Sequence, residues 1–547
     1  MARLGNRLWL LLAVAWLAAF AYLLPHHLHH DVTWFLLAAE RLLDGARLYR
    51  DIVEINPPLG IYAAVPAVIA ARATGLAPGI CYIAFVLGLA AMSLGLAAGI
   101  LRQSALLPAA QRTWLAVAIF VALVALPIED FGQREHLTLI LCLPYVVLLA
   151  ARLDGRRCEL RLSLVAGALA GIAFAMKPHF ALVPLALEAL LVFRRRSPKS
   201  VLRPELAALA ASAIFCVLAV LLAHADYLER IVPFGRLVYD AFEVPFHLVL
   251  VQARVVILLP AFAVWIAARR AHRSGPWLDA SGVAALAFLA AYFAQAKGWG
   301  YHLLPALSFA WLAAAGAAIA VLRTQAAEAP QPKRFAVLAM VALVLVATPA
   351  MKGAYRNEIA DRLSPIVRGI APDGSLLALS TSLSVGFPLV SDAGLDWASR
   401  FPHHWLLPGT LRALRNPARL DGDRLADLTE IERYARDAVA EDFVRYRPEV
   451  VLVDRSDFFL RGLDFDFIQF FSREPRFESL WRDYMRVGEV SFDCGFECRI
   501  EIYCRRGATP GCSPGAAQLR PPPELRSDPE RLVGAAVFRT HDTLPEG

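Results

Sequence analysis

Hydrophobic residues in this 547-residue chain fall into blocks of about twenty, separated by short polar loops. A helical block of that length crosses a bilayer, and its backbone groups bond within their own segment. The pattern predicts a polytopic α-helical membrane protein with about 11 to 13 transmembrane helices. The predicted spans are 8–24, 57–72, 79–101, 113–128, 136–151, 162–177, 179–193, 205–224, 248–268, 279–296, 301–322 and 334–351.

Basic residues concentrate in four loops between these spans, and such loops face the cytoplasm in most membrane proteins. Because the positive charge lies in these loops, the net charge of +7 does not indicate nucleic-acid binding. The four basic loops are 152–161, 194–203, 269–275 and the stretch that holds Arg323, Lys333 and Arg334. The loops that then face outward are 129–135, 177–179, 225–247 and 297–301, together with everything after the last span.

The loop 25–56 conflicts with this topology. An uncleaved signal anchor at 8–24 puts 25–56 outside, and three predicted spans then put 129–135 inside. Either a short span or a re-entrant segment is missing from the prediction, or Arg102 and Arg112 face outward against the charge rule. The sequence leaves both alternatives open.

The chain divides into two predicted domains. Residues 1–351 form the transmembrane domain, which includes the outer loop 25–56, and 352–547 form an extracytoplasmic α/β domain. In the second domain, two short apolar runs with nearby turn residues predict strands, and one segment has apolar residues at helical spacing. The strands are 375–380 and 449–454, and the helix is 423–446.

Four cysteines crowd the C-terminal region. They form disulfides if that region is extracytoplasmic, or a zinc site if it is not. Their spacing lacks the paired C-x2-C knuckles of common zinc folds, which favours one or two disulfides. The four are Cys494, Cys498, Cys504 and Cys512.

The stretch HHLHHDVTWF at 26–35 places four histidines and Asp31 just after the first span. The residues from Asp31 to Tyr49 have apolar side chains near one helical face, with a stop at Asp44-Gly45, which predicts an amphipathic helix in the membrane interface. Asp31 stands at its N-terminus, where the helix dipole favours a carboxylate. It is either a helix cap, a catalytic acid or both, and the histidines are either metal ligands or neighbours of that acid.

Ionisable residues at membrane depth are costly, so those at the outward ends of spans are candidate site residues. Two of them, Lys177 and Lys297, stand between hydrophobic runs. Each is either a snorkelling side chain or part of a site for an anionic lipid headgroup, since Lys pairs well with phosphate. The candidates are Asp31, Glu54, Arg134, Glu135, Lys177, Lys297 and His302.

Five motifs, in this order, resemble the GT-C membrane glycosyltransferases, and most of all the lipid-A aminoarabinose transferases and protein O-mannosyltransferases. The resemblance covers about residues 1–322 and rests on ordered motifs that are individually weak. The motifs are Asp31 after the first span, EINPPLGIY (54–62), FGQREHLTLIL (131–141), GIAFAMKPHFALVP (171–184) and KGWGYHLLPALSF (297–309).

The resemblance implies a sugar transfer from a polyprenyl-phosphate donor to an acceptor hydroxyl. It implies Asp31 as the general base, a donor-phosphate site and residues that support the substrates. Many relatives have two adjacent acids where this chain has Asp31-Val32, which leaves metal dependence and acceptor type open. The phosphate-site residues would be Lys177, Lys297, Tyr301 and Arg134, and the supporting residues Glu54, Asn56, Glu135, His302 and His30.

The sequence is therefore interpreted as an integral-membrane glycosyltransferase of a bacterial inner membrane, with its active site and C-terminal domain in the periplasm. Its expected partners are the polyprenyl-phosphate-linked sugar donor, membrane lipid and a glycan, lipid or protein acceptor, without nucleic acid. No cofactor is required in this interpretation, and a divalent metal stays an open alternative. The rival interpretations are a transporter or flippase of lipid-linked sugars and a non-enzymatic cell-envelope assembly protein.

Overall fold

The computed structural model describes residues 2–252, 254–270, 275–325, 332–456, 458–460, 462–494 and 497–512. The linker 326–331 within the fourth basic stretch and the last part of the predicted C-terminal domain, 513–547, lie outside this described part. The chain forms two compact units. The first unit is Met1–His29, Pro57–Ala223 and Val244–Tyr355, and the second is His30–Asn56, His224–Glu243 and Arg356–Gly547.

Helices make up the first unit, and a sheet with helices makes up most of the second. The helices are α1 (Ala2–Leu23), α2 (His30–Leu43), α3 (Leu59–Thr74), α4 (Pro78–Ser104), α5 (Ala109–Phe120), α6 (Arg134–Leu153), α7 (Leu160–Ala175), α8 (Leu182–Arg195), α9 (Pro204–Ala223), α10 (Val232–Val238), α11 (Phe246–Gln252), α12 (Leu259–Arg270), α13 (Pro276–Gln295), α14 (Leu304–Gln325), α15 (Pro332–Lys352), α16 (Glu358–Ile370), α17 (Leu389–Ala393), α18 (Leu407–Leu414), α19 (Gly422–Tyr446), α20 (Phe467–Phe471) and α21 (Pro475–Trp481). The strands are β1 (Ser375–Leu379), β2 (Asp396–Trp397), β3 (Val450–Asp454), β4 (Tyr484–Asp493) and β5 (Glu497–Arg505).

The polytopic α-helical fold predicted from the hydrophobic blocks is confirmed. Among the described residues, five helices are long and apolar enough to cross a bilayer: α4, α6, α9, α13 and Gly300–Ile319, which includes most of α14. The predicted span 248–268 is divided into α11 and α12, which meet at 65° and would make a sixth. Shorter apolar helices occur within α1, α3, α5, α7 and α15.

The two ends of α4 define two ends of the first unit. At the first end, the Tyr82 hydroxyl donates to the Gly132 carbonyl over 2.6 Å, and a methyl group on Gly79 would lie 3.5 Å from Leu28. At the second end, the Gln103 side-chain amide donates to the Glu159 carboxylate over 3.0 Å. We call the first the Gly132 end and the second the Gln103 end.

This arrangement removes the topology conflict in the sequence. Because Leu28 and Gly79 are neighbours at the Gly132 end, the chain between them returns to the end that it left. Within the first unit, the only apolar helix in that interval of the described chain is α3, and one helix alone cannot cross and return. The predicted span 57–72 is therefore a helix that does not change sides, and Arg102 and Arg112 stay with the other basic residues.

We expect topology reporters to show this directly. Alkaline phosphatase fused after residue 27 and after residue 76 will report the same side of the membrane, and a fusion after residue 106 the opposite side. A fusion after residue 157 provides the control, because it falls at the same end as residue 106. Opposite sides for the fusions at 27 and 76 would restore α3 as a crossing helix.

The sheet of the second unit contains both predicted strands. Its order is β2-β1-β3-β5-β4, with β1 parallel to β2 and β3, and with β5 antiparallel to β3 and β4. The strand β3 is buried at every position, as its run of valine and leucine predicts. The predicted helix 423–446 is also confirmed as α19, and its Asp421 cap accepts from the Arg424 backbone N–H over 2.8 Å.

The C-terminal cysteines are paired in the structure. Cys494 is bonded to Cys498, and Cys504 is bonded to Cys512, so the prediction of one or two disulfides is confirmed with two. The second pair joins β5 to the segment that follows it, and a third residue there, Thr509, donates to the Ile370 carbonyl over 2.6 Å.

Two stretches from early in the chain belong to the second unit. The Val53 backbone N–H donates to the Arg400 carbonyl over 2.8 Å, and Trp405 donates its indole N–H to the Val53 carbonyl over 3.3 Å. The other stretch brings the Val238 backbone so close to Gly409 that a Cβ there would lie 2.0 Å from the Val238 carbonyl oxygen. The apolar face predicted for α2 is buried within this unit, where Trp34 packs 5.5 Å from the Phe387 ring.

Candidate active site

Two charged residues open the buried helix α6. Arg134 and Glu135 are its first two residues, and nearly all of its apolar length is enclosed by protein. The preceding turn contains Gly132, whose φ of +78° suits glycine. The Glu135 side chain is fully buried, and a buried carboxylate needs a compensating partner.

Lys177 supplies that partner from the junction between α7 and the 3-10 turn Pro178–Ala181. Its ammonium donates to Glu135 Oε1 over 2.5 Å and to Gln295 Oε1 over 2.9 Å. The same nitrogen lies 3.0 Å from His302 Nε2. A buried ion pair is thus surrounded by two further polar side chains, as desolvated charges require.

The loop between α13 and α14 forms the other wall of this cluster. Gly298 has a φ of +69°, and a Cβ there would lie 2.0 Å from Gln252 Oε1, so only glycine fits. The tight loop brings Tyr301 to the cluster, with the Lys177 ammonium 5.7 Å from the ring centroid, within cation–π range. Lys297, from the same loop, is also buried.

The cluster carries an excess of positive charge. Lys177, Lys297 and Arg134 all lie close enough to His302 for charge–charge interaction, and Glu135 is the carboxylate among them. Among the described residues, Glu135 Oε2 and His302 Nδ1 are buried atoms that have no hydrogen-bond partner. The structure therefore brings together six predicted site residues, namely Lys177, Lys297, Arg134, Tyr301, Glu135 and His302. We call these six residues the Lys177 cluster.

Two of the histidines before Asp31, His26 and His29, have partners within the first unit. The His29 ring bonds to the Gln133 side chain and lies 5.5 Å from the Tyr301 ring. His26 donates from Nδ1 to the Tyr22 carbonyl over 2.7 Å. His29 is therefore a neighbour of the Lys177 cluster that the sequence did not single out as a site residue.

Asp31 belongs to the second unit, in the first turn of α2. Its carboxylate lies 3.8 Å from His30 Nε2, and its side chain is 15% exposed. A second imidazole is near: burial lowers the pKa of His403 to about 4, and the negative charge of Asp31 opposes that shift. The predicted base therefore has two histidine neighbours in its own unit.

Glu54 and Asn56 are joined to each other and to α2. Glu54 accepts from the Trp34 indole N–H over 2.6 Å and from the Asn56 backbone and side-chain amides over 2.9 and 2.6 Å. These bonds fasten the start of the EINPPLGIY motif to α2, three residues beyond Asp31. A role for Glu54 and Asn56 in supporting the substrate stays a prediction.

Comparison with solved structures gives matches over nearly the full chain. ArnT from Cupriavidus metallidurans in the apo state matches with a TM-score of 0.51 at 14% identity, over 92% of this chain and 98% of that one. The chain has the GT-C fold. The GT-C resemblance predicted from five motifs is thereby confirmed for the fold.

Other GT-C structures match less well in superposition. ArnT bound to undecaprenyl phosphate matches with a TM-score of 0.49 at 13% identity, over 90% of this chain and 97% of that one. Arabinofuranosyltransferase AftD from Mycobacteria matches with a TM-score of 0.42 at 15% identity, over 90% of this chain and 40% of that one. No protein-family model and no curated protein matches the sequence.

In this GT-C chain, the Lys177 cluster can hold an anion in a buried site. Its lysines supply point charges, and Arg134 supplies a guanidinium, which together suit a phosphate. Gln133 and Gln295 also lie beside the cluster, and the sequence analysis missed both. A buried charge is energetically costly and therefore stands out in an apolar segment, whereas an uncharged amide at a helix end does not. Only their positions in the sequence could have indicated them, since Gln133 directly precedes Arg134 and Gln295 is two residues before Lys297.

Proposed function

We propose that this protein is a membrane glycosyltransferase that moves a sugar from a polyprenyl-phosphate donor to an acceptor hydroxyl. The observation that carries the proposal is the Lys177 cluster, a buried and net positive site in a GT-C fold. Fixed cations in a buried site stabilise a phosphate leaving group more strongly than the same cations in water. The cluster would therefore hold the donor phosphate.

The Glu135–Lys177 ion pair has a distinct part in this proposal. Without donor, Glu135 compensates the buried ammonium, which would otherwise be a costly isolated charge. When a phosphate binds, the His302 Nδ1–H can donate to it, because Nδ1 is a buried atom without a hydrogen-bond partner among the described residues. The Glu135 carboxylate can only accept, so it stays paired with Lys177 and does not bond to the phosphate. Lys297 and Arg134 then add the charge that a doubly negative leaving phosphate requires.

Asp31 would be the general base. It takes the proton of the acceptor hydroxyl as the acceptor oxygen bonds to the anomeric carbon of the sugar. The bond between that carbon and the phosphate oxygen breaks, and polyprenyl phosphate leaves with the electron pair. Attack on the face opposite the phosphate inverts the anomeric configuration.

The basic loops support an orientation for this reaction. Arg152 and Arg195 both lie at the Gln103 end of the first unit. The Arg195 guanidinium donates to the Arg152 carbonyl over 2.5 Å. Under the positive-inside rule, this end faces the cytoplasm of a bacterial inner membrane. The Lys177 cluster, which adjoins Gly132 through Arg134, would then open toward the periplasm.

Reconstitution tests this proposal most directly. Purified protein in detergent, given a synthetic polyprenyl-phosphate sugar and envelope extract from a null strain, should transfer the labelled sugar to an acceptor that mass spectrometry identifies. Because no sealed membrane is present, a transporter or flippase gives no product in this assay. Recovery of unconsumed donor at every extract concentration would overturn the glycosyltransferase assignment.

In cells, we expect the null strain to lack one sugar from its envelope glycans and to accumulate the corresponding polyprenyl-phosphate sugar. Both pools are measurable by mass spectrometry of the same culture. The assembly-protein alternative predicts an altered amount of glycan with an unchanged set of sugars. A null strain with the full sugar set would therefore count against transfer.

A further inference from the structure

The second unit contains an open cavity of about 600 Å³ that the proposed reaction has not used. Four arginines, three carboxylates and one tyrosine line it, and we call it the arginine–carboxylate cleft. All three chain segments of the unit contribute: Arg50 and Asp51 come from the first, Asp226 and Arg230 from the second, and the rest from the C-terminal segment. The cleft is therefore built from residues that only the folded unit brings together.

Charges of opposite sign alternate around the cleft. Arg50 Nε lies 2.5 Å from Asp226 Oδ2, and Arg445 lies 3.6 Å from the Asp51 carboxylate. The side chains of these two acids are 27% and 30% exposed, so their carboxylates keep free surface beside the guanidinium groups. The lining thus presents hydrogen-bond donors and acceptors side by side.

The deeper part of the cleft is held firmly. Arg400 donates to the Asp442 carboxylate over 2.9 Å and to Glu441 over 2.9 Å. Asp442 is buried and also accepts from the Arg400 backbone N–H over 2.8 Å, whereas Glu441 is 50% exposed. Glu441 is therefore an acceptor on the surface of the cleft that the fold does not require.

One cation in the lining lacks a carboxylate partner among the described residues. The Arg230 guanidinium lies 5.4 Å from the centroid of the Tyr434 ring and bonds to its hydroxyl. Stacking of this kind orients a guanidinium while leaving its outer N–H groups able to donate. Arg230 is exposed, so these donors face the solvent of the cleft.

We infer that the arginine–carboxylate cleft binds the glycan part of the acceptor through its hydroxyl groups. A hydroxyl both donates and accepts, so a polyhydroxylated ligand matches a lining in which guanidinium donors alternate with carboxylate acceptors. A strongly anionic ligand gains less here than in a purely basic site, because three carboxylates nearly balance the four arginines of the lining. The inference rests on the proposed glycosyl transfer and names the acceptor as a carbohydrate.

The cleft shares its unit with the proposed base. Arg400, in the cleft, accepts the Val53 backbone N–H over 2.8 Å, and the next residue, Glu54, accepts from Trp34 on α2. Asp31 lies in the first turn of that same helix. A glycan bound in the cleft would thus be held by the unit that carries the general base, as expected of an acceptor.

Hydrogen–deuterium exchange on the full-length protein in nanodiscs tests this inference. The probe is the mixture of water-soluble glycans released by mild acid from the envelope of the source organism. We expect it to slow exchange in peptides covering 47–53, 224–231 and 434–445. Arg230→Gln and Glu441→Gln should each raise the half-saturating glycan concentration about tenfold, because each removes a charged hydrogen-bonding group.

Arg482→Gln is the matched control, because Arg482 forms an exposed ion pair with Glu478 outside the cleft. It should bind glycan as the wild type does. Three results would overturn the inference: no protection at saturating glycan, protection confined to other peptides, or displacement of the glycan by inorganic phosphate at equal concentration. The exchange assay uses no sugar donor, so its result does not depend on sugar transfer. If the glycan binds but the purified protein transfers no sugar, the proposed function is wrong and the cleft is still a glycan site.

Discussion

We expect Lys177→Gln to lower sugar transfer by about 100-fold or more, which is the scale seen when one preorganised stabilising group is removed from an active site. Lys177 is the central cation of its cluster, in contact with Glu135, Gln295 and His302. The variant also leaves Glu135 buried beside a neutral amide, at a cost of about 3–5 kcal/mol in stability. Initial rates with purified protein, together with its level in the membrane, measure both effects.

A double variant separates the two effects. Lys177→Gln with Glu135→Gln removes the uncompensated carboxylate, so the protein should return to near its normal level in the membrane while transfer stays low. Lys352→Gln is the matched control, since Lys352 also lies 2.5 Å from a carboxylate, that of Glu129, but Lys352 is exposed and Glu129 is partly exposed. An exposed pair contributes about 1 kcal/mol or less, so this variant should work normally. Recovery of more than a tenth of wild-type transfer by the double variant would contradict the phosphate role.

The second large effect is expected for Asp31→Asn, which should lower transfer by about 100- to 10,000-fold, the range for loss of a general acid–base group. Asparagine has nearly the same shape as aspartate, so the protein should fold and reach the membrane. The pKa of His403 provides a second readout. Asp31 favours the protonated imidazole, so the variant should lower that pKa below its value of about 4 in the wild type.

Asp44→Asn is the control for this prediction, because Asp44 follows the other end of α2 and is exposed. Its transfer rate should be unchanged. Asp31→Glu keeps the charge but moves the carboxylate by one methylene, and we expect partial activity from it. If Asp31→Asn keeps more than a tenth of the wild-type rate while Lys177→Gln is inactive, the base lies elsewhere and the phosphate site stands.

The sequence predicted the fold well where composition decides structure and less well where packing does. Twenty consecutive apolar residues leave few alternatives to a helix, so α4, α9 and α13 were found near their true bounds. The helix α3 has the composition of a span, and its failure to cross depends on Leu28 meeting Gly79, which no local pattern contains. The strands β4 and β5 were missed. In β5 every second residue is buried, and the sequence shows the matching period of two in Cys498, Ile500, Ile502 and Cys504.

The candidate site shows the same division. The cost of burying charge marked Lys177, Lys297 and Glu135 individually, because each stands at the end of an apolar block. The GT-C resemblance grouped both lysines at one phosphate site, but the bonds from Lys177 to Glu135 and Gln295 could not be predicted, since they depend on how α6, α7 and α13 pack. Glu54 illustrates the converse: its bond to Trp34 gives the charge a structural partner twenty residues away, which the sequence could not reveal.

The assembly of the second unit from three distant stretches has a consequence for synthesis. Trp34 leaves the ribosome about 350 residues before Phe387, the ring against which it packs. During that interval Trp34 lacks its contact with Phe387, and a chain that stops before residue 356 never acquires it. Truncated or stalled products therefore expose part of the apolar face of α2 to chaperones and proteases, and the cell can remove them before they accumulate in the membrane.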